Sequence, residues 1–211
     1  MALPHRVVGV LLAGGKSSRM GGGDKCLRVV GGRPILARII DRLRAQVADI
    51  VINANEGGDR FTPFGFPVVA DSIAGYAGPL AGVHAGLEWV KANHPDIQHA
   101  VTVATDTPFF PRDLVARLLA ASEDDAALRI AKSETGMHYV IGLWPVVLAK
   151  ALQASLERGE RRVGAWVKDH GAIEVVFPQI NVGGRALDPF FNINTPEDLV
   201  RAQALISDNP L

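Results

Sequence analysis

The sequence predicts an α/β protein built on a mostly parallel sheet. Three observations carry this. Short apolar runs of strand length alternate with longer segments of helical period. The first run, Val7-Val8-Gly9-Val10-Leu11-Leu12-Ala13, is continuously apolar, as in a strand covered on both faces. Polar and glycine-rich residues gather just after the strand-like runs, where open α/β sheets bind ligands.

The elements follow in order. After the first strand, Pro34 to Val47 has helical spacing, with Ile35, Leu36, Ile39, Ile40 and Leu43 on one face and Arg38, Asp41, Arg42 and Arg44 expected on the other. Ile50-Val51-Ile52 and Pro67-Val68-Val69-Ala70 read as strands. Pro79 to Ala92 reads as a helix, Ala100 to Ala104 as a buried strand and Pro111 to Ala121 as a helix. Extended segments follow at 128–131, 139–143 and 173–177, with helices at 146–156 and 163–169. The last helix has a readable start: Thr195 as cap, Pro196 in the first position, Asp198 closing a capping box. With no repeat or linker in 211 residues, residues 1–211 are expected to form a single domain.

Composition removes several function classes. Lys plus Arg equals Asp plus Glu, 22 each, so no net field favours nucleic acid or an anionic membrane. The lone cysteine, Cys26, excludes an intrachain disulfide and a cysteine-rich metal site; without an accompanying His or Asn motif it reads as a small half-buried residue, not a nucleophile. The histidines lack zinc-ligand spacing. No apolar run is long enough to span a bilayer, and charges at Lys16, Arg19, Asp24 and Lys25 follow the first run at once, so a cytoplasmic location is expected.

The chemistry is concentrated in Leu12-Ala13-Gly14-Gly15-Lys16-Ser17-Ser18-Arg19-Met20-Gly21-Gly22-Gly23-Asp24-Lys25. Five glycines allow amide N–H groups to converge on an anion, and Lys16, Arg19 and Lys25 add the charge to offset a triphosphate. Two look-alikes fail. A P-loop needs glycine where Val10 stands, and a dinucleotide fingerprint starting at Gly14 or Gly15 needs glycine at Lys16 or Ser17. Asn53 and Asp71 follow strands. A carboxylate such as Asp71 can accept from the adjacent N–H donors of guanine, although by itself it also reads as a solvated loop acid. Asp106 follows a buried strand and is the best single carboxylate for Mg²⁺. Asn192 and Asn194 share a face of an extended stretch and could support the metal or phosphates, or make only local turn bonds. Asp188 is a weaker metal neighbour. Gly78 and Gly82 bracket a helix start, where backbone can approach a ligand or simply pack closely. Arg161 and Arg162 could meet an acceptor or form a solvated turn.

These motifs resemble the MobA-like nucleotidyltransferases, and among them the molybdenum cofactor guanylyltransferases. The resemblance rests on the first loop, on Gly78-Pro79-Leu80-Ala81-Gly82, Asp106-Thr107-Pro108, Gly159-Glu160-Arg161-Arg162-Val163 and Asn192-Ile193-Asn194-Thr195-Pro196-Glu197, and covers nearly the whole chain. One departure is Thr105, where related enzymes often carry Cys. The resemblance implies a three-layer Rossmann-like fold and GMP transfer from GTP to the phosphate of molybdopterin, with release of pyrophosphate. It implies that Leu12, Ala13, Gly14, Gly15, Lys25, Asn53, Asp71 and Asp106 bind GTP. Arg19, Lys25 and Asp106 would be catalytic, Asp106 would hold Mg²⁺ with support from Asn192 and Asn194, and Gly78, Gly82, Arg161, Arg162, Asn192 and Asn194 would face the acceptor. Implied partners are GTP, molybdopterin or the molybdenum cofactor, molybdenum-insertion proteins, and apo-molybdoenzymes or their chaperones. A CTP-using relative, a sugar- or alditol-phosphate transferase, and a non-catalytic nucleotide-binding protein remain the alternatives.

Overall fold

The computed structural model describes residues 6–14, 24–55, 57–71 and 78–207. The elements are β1 (Val7–Leu12), β2 (Val29–Val30), β3 (Arg33–Pro34), α1 (Ile35–Arg44), β4 (Asp49–Asn53), β5 (Val68–Val69), α2 (Pro79–Asn93), β6 (His99–Ala104), α3 (Leu114–Ala120), β7 (Arg129–Ser133) and β8 (Gly136–Pro145). After these come α4 (Ala149–Glu157), α5 (Val163–Asp169), β9 (Ile173–Val176), β10 (Ile180–Val182), β11 (Arg185–Leu187) and α6 (Pro196–Ser207).

A seven-stranded sheet runs in the order β5-β4-β1-β6-β8-β7-β9. Every strand in it is parallel to the rest except β8, which is antiparallel to both neighbours. The cause is local. Only Glu134 and Thr135 lie between the paired residues Ser133 and Gly136, and so short a connection can join only antiparallel strands. Two small hairpins, β2–β3 and β10–β11, stand apart from the sheet.

The side-chain alternation of β1 divides the core into two layers. Val7 and Leu11 pack with α1, α3 and α6, whereas Val8 and Val10 pack with α2, α4 and α5. The result is the expected helix–sheet–helix sandwich. Each fully buried Val, Leu or Ile contributes roughly 1.5–3 kcal/mol relative to exposure.

On α1 the apolar face is as expected, but Arg38 and Arg42 are buried, not solvated. Arg38 donates to the carbonyls of Val30 and Gly31, at 2.8 and 2.7 Å, and Arg42 donates to Phe110 O at 3.2 Å. Burial, then repulsion from Arg112 and Arg38, lowers the Arg42 pKa to about 10. A long side chain can bury its stem and bring its charge to carbonyls on neighbouring segments, which helical period does not reveal.

The strand order reverses at β1. The chain passes from β1 through β4 to β5 on one side, then crosses to β6 on the other. The carboxyl ends of β1 and β6 therefore flank the crevice where such sheets bind ligands.

Candidate active site

The site is assembled around the end of β6. Asp106 stands just beyond that strand and is half-buried. Lys25, in a short 3₁₀ turn at 25–27, donates from Nζ to Asp106 Oδ2 at 2.6 Å and to Asn194 Oδ1 at 2.6 Å. Three segments distant in sequence thus meet at one ammonium group. Asp106 Oδ1 is buried without a hydrogen-bond partner. A buried carboxylate oxygen left unpaired is costly, so the cluster is set to receive a positive or hydrogen-bonding group.

The C-terminal segment is tied into this cluster through its backbone. Ile193 N–H donates to Asp106 O at 2.9 Å, placing Asn192 and Asn194 on either side. Asn194 is held further by the start of α6. Asp198 Oδ2 accepts from the N–H groups of Asn194 and Thr195, both at 2.9 Å, while Asp198 N–H donates to Thr195 Oγ1 at 3.2 Å. This is the anticipated capping box, and its acid also reaches back to a site residue.

Lys25 is held from the other direction. Arg60 forms an ion pair with Asp24, the residue preceding Lys25. Cys26 is buried; burial, with the Asp24 charge adding, pushes its thiol up to about 11. It is therefore a thiol at neutral pH and no nucleophile. Thr105 bonds Leu12 O at 3.1 Å, fastening the end of β6 to the end of β1. It flanks the site, as the sequence suggests, and the Cys-to-Thr departure leaves Asp106 in place.

A second polar group lies across β1, β4 and β5. Ala13 N–H donates to Asn53 O at 2.9 Å, so the start of the glycine-rich loop is fixed to the end of β4. Asn53 is buried and donates from Nδ2 to Asp71 Oδ1 at 3.0 Å. Asn55 donates from Nδ2 to Asp71 Oδ2 at 2.7 Å and accepts the Asp71 N–H at 2.8 Å. The Asp71 carboxylate is thereby oriented by two asparagines and retains lone pairs on both oxygens. Asn55 is missing from the sequence reading. Its signal was present: Asn53 and Asn55 are two apart, so both project to one side of an extended chain.

The structure separates the remaining expected residues. Leu12 is half-buried and Gly14 exposed at the end of β1. Gly15 and Arg19, together with Lys16, lie outside the described residues. Gly82 is buried inside α2, where a Cβ would overlap Asn53 Oδ1 and lie 3.0 Å from Leu12 Cδ2. Its bare backbone lets α2 close on the Asn53 side chain, a packing role. Gly78 is exposed at the start of α2, and a Cβ there would be 3.9 Å from Arg161 O. Two of the expected acceptor residues are thus neighbours. Arg161 and Arg162 are exposed before α5.

Asp188 belongs to a different cluster. It accepts from Ser133 Oγ at 2.6 Å, Thr135 Oγ1 at 2.7 Å and Phe190 N–H at 2.8 Å. Burial works to raise its pKa, but these three bonds hold it below the usual carboxylate value. Its oxygens tie the β7–β8 turn to the segment that follows β11. Among the described residues no group of three or more His, Cys, Asp or Glu could hold a metal, so any ion here would rest on few carboxylates. That donor set suits Mg²⁺, which binds through one or two carboxylates plus substrate phosphates. No described helix is long and apolar enough to cross a membrane.

Three comparisons bear on this geometry. The family model described as the MobA-like NTP transferase domain matches residues 9–173. A curated protein of Bradyrhizobium sp. (strain ORS 278) named molybdenum cofactor guanylyltransferase is 47% identical over 201 residues, covering 94% of this chain and 92% of its own. One of the same name from Mesorhizobium japonicum is 44% identical over 202 residues, covering 95% and 96%. Among solved structures, molybdopterin-guanine dinucleotide biosynthesis protein A from Archaeoglobus fulgidus superposes with a TM-score of 0.70 at 20% identity, covering 95% of this chain and 98% of its own. The inositol-1-phosphate CTP transferase from T. maritima gives 0.68 at 16%, covering 97% and 96%. At those identities the structural likeness establishes the fold.

Proposed function

Because the chain belongs to the MobA-like NTP transferase family, a family of nucleotidyltransferases, we propose that it transfers GMP from GTP to the phosphate of molybdopterin. The products are molybdopterin guanine dinucleotide and pyrophosphate. The choice of substrates is supported by relatives 44–47% identical over more than nine-tenths of the chain. The observation that carries the chemistry is the meeting of Lys25, Asp106 and Asn194 at the point where the strand order reverses.

An acceptor phosphate oxygen bonds to the α-phosphorus of GTP, and the bond from that phosphorus to the bridging oxygen of the β-phosphate breaks. The electron pair leaves with pyrophosphate. The attacking phosphate is already ionised near neutral pH, so no side chain need remove a proton. The work of the protein is positioning and charge stabilisation. Lys25 offers its ammonium to the triphosphate and to the leaving pyrophosphate, and Arg19 supplies a second cation to the same groups. Asp71, oriented by Asn53 and Asn55, accepts from the N1–H and exocyclic amine of guanine. Leu12, Ala13, Gly14 and Gly15 provide backbone beside the nucleotide.

Asp106 would hold Mg²⁺ through its unpaired Oδ1, with Asn192 and Asn194 as neutral oxygen donors nearby. When bound, that ion would supply positive charge against the phosphate oxygens. Molybdenum-insertion proteins and apo-molybdoenzymes or their chaperones are the partners such a product requires, and the cytoplasm is the compartment we assign.

The test is nucleotide competition. The protein, Mg²⁺ and molybdopterin are incubated with equal GTP and CTP, and the dinucleotide product is weighed by mass spectrometry. The guanine product should dominate. A cytosine product, or pyrophosphate release only when a sugar or alditol phosphate replaces molybdopterin, would overturn the assignment.

A further inference from the structure

A cavity of about 300 Å³ opens on the far side of Asp106 from Asn53 and Asp71. Asp106, Asn192, Met137, His138, Tyr139 and Val163 are among the residues that line it. Its origin is the antiparallel strand. β6 pairs with β8 up to Thr102 opposite Gly142, so the first residues of β8 run on past the carboxyl end of β6. They form a wall beside Asp106.

We propose that this cavity holds the ring system of the acceptor and that Tyr139 is the residue that grips the ring. The proposal rests on the GMP-transfer reading above. Position comes first. The base-side residues Asp71, Asn53 and Leu12 lie over β5, β4 and β1, and the cavity lies across Asp106 over β6 and β8. An acceptor seated there would have its phosphate beside Asp106 and the nucleotide on the opposite side.

The lining sets the chemical class. No Lys or Arg is among the lining residues, so the cavity does not fit a chain of phosphates. It joins apolar surface from Met137 and Val163 to polar groups from His138, Asn192 and Asp106, which suits a flat heterocycle bearing N–H and C=O groups. Small-molecule pockets span roughly 300–1,000 Å³, so the volume suits one fused ring system and not a whole dinucleotide.

Two lining side chains are fixed in advance, on opposite sides of β8: Tyr139 packs toward α5 and His138 toward Phe190. A Cβ on Gly164 would lie 3.1, 3.2 and 3.3 Å from Cε2, Cζ and Cδ2 of Tyr139. Such nearly equal distances put Gly164 over one face of the ring. Any side chain at 164 would press on that face; glycine lets α5 back the tyrosine closely. His138 is set by hydrogen bonds. Ser133 Oγ donates to Asp188 Oδ2 at 2.6 Å, so the 2.7 Å contact with His138 Nε2 requires that nitrogen to be the donor. Nδ1 is then the acceptor of a neutral ring. Phe190 packs on His138 with ring centroids 4.5 Å apart, which fixes its tilt.

The experiment uses the full chain, Mg²⁺, GTP and molybdopterin. Tyr139→Leu should raise the KM for molybdopterin about tenfold, the scale of one lost ring–aromatic stack, and leave the dissociation constant for GTP unchanged. Tyr139→Phe should keep the wild-type KM, since the ring and not the hydroxyl is invoked. Gly164→Ala keeps every other side chain and should raise the same KM through displacement of the ring. An unaltered molybdopterin KM in both Tyr139→Leu and Gly164→Ala, with normal turnover, overturns the cavity assignment and leaves GMP transfer standing. A parallel loss of GTP affinity in Tyr139→Leu overturns it too, by placing Tyr139 with the nucleotide or the fold. Absence of turnover by the unaltered chain overturns both readings together.

Discussion

In the proposed reaction, Asp106 is the residue on which the chemistry depends most. It presents one oxygen to Lys25 and leaves the other buried and unpaired. Asp106→Ala should lower turnover at least about 100-fold, since clamps on transferring phosphate contribute several kcal/mol and each 1.4 kcal/mol is about tenfold. Folding should survive, because no helix or strand bond depends on the carboxylate. Near-normal pyrophosphate release by the mutant would remove Asp106 from the mechanism. Base choice is tested at Asp71. If Asp71 reads guanine as proposed, Asp71→Asn replaces an acceptor by a donor and should weaken GTP about tenfold, consistent with one unmatched buried polar group at roughly 1–3 kcal/mol. ITP lacks the exocyclic amine, so the preference for GTP over ITP should shrink in the mutant. An unchanged ratio would mean that Asp71 does not read that amine. Both acids were legible in the sequence because each ends a strand-like run. Their partners were not. Asn55 on Asp71 and Asn194 on Lys25 are pairings across 16 and 169 residues, and nothing local in the chain specifies who meets whom.

Among the elements, α6 links stability to the site. Its capping box satisfies helix N–H groups, and Asp198 also holds the backbone of Asn194. Asp198→Ala should destabilise the protein by about 1 kcal/mol, the usual scale of a lost cap. It should also reduce kcat through a loosened Asn194 while GTP affinity changes little. Denaturant unfolding and steady-state kinetics on one preparation would check both; a stability loss with kcat intact would mean the cap serves the helix alone. This cap was readable because Thr195, Pro196 and Asp198 carry a local chemical signature. Strongly periodic helices such as α1 and α2 were readable for a similar reason. The hairpins β2–β3 and β10–β11 were not, since strands of two or three residues are too short to show a period. Arg38 and Arg42 depart from a solvated face because helical period carries no information about the distant carbonyls that receive them.

At the scale of the molecule, topology decides function. Parallel strands bring the ends of β1 and β6 together, and the reversed β8 adds a wall beyond them. Alternating strands and helices revealed the α/β class, yet direction did not follow from periodicity. It depended on the two-residue link at Glu134 and Thr135. Burial of His84, His99 and His138 lowers each pKa from the ordinary value of 6.5. The unfolded chain therefore binds more protons as pH falls through that range, and stability rises with pH there. Their contribution is complete above about pH 6.5 and is lost as pH falls through the depressed folded values. Thermal unfolding should show a lower midpoint at about pH 5 than at about pH 7.5. A midpoint that is flat or rises on acidification would contradict the neutral, buried assignment of these rings.

Whether the guanylyl group of GTP reaches molybdopterin is decided by isotope placement. GTP labelled at the α-phosphorus is incubated with the protein, Mg²⁺ and molybdopterin, and the products are separated. The label should enter the guanine dinucleotide, with one unlabelled pyrophosphate released for each dinucleotide formed. Label recovered only as GTP, GMP or GDP, with molybdopterin unchanged, would contradict that transfer.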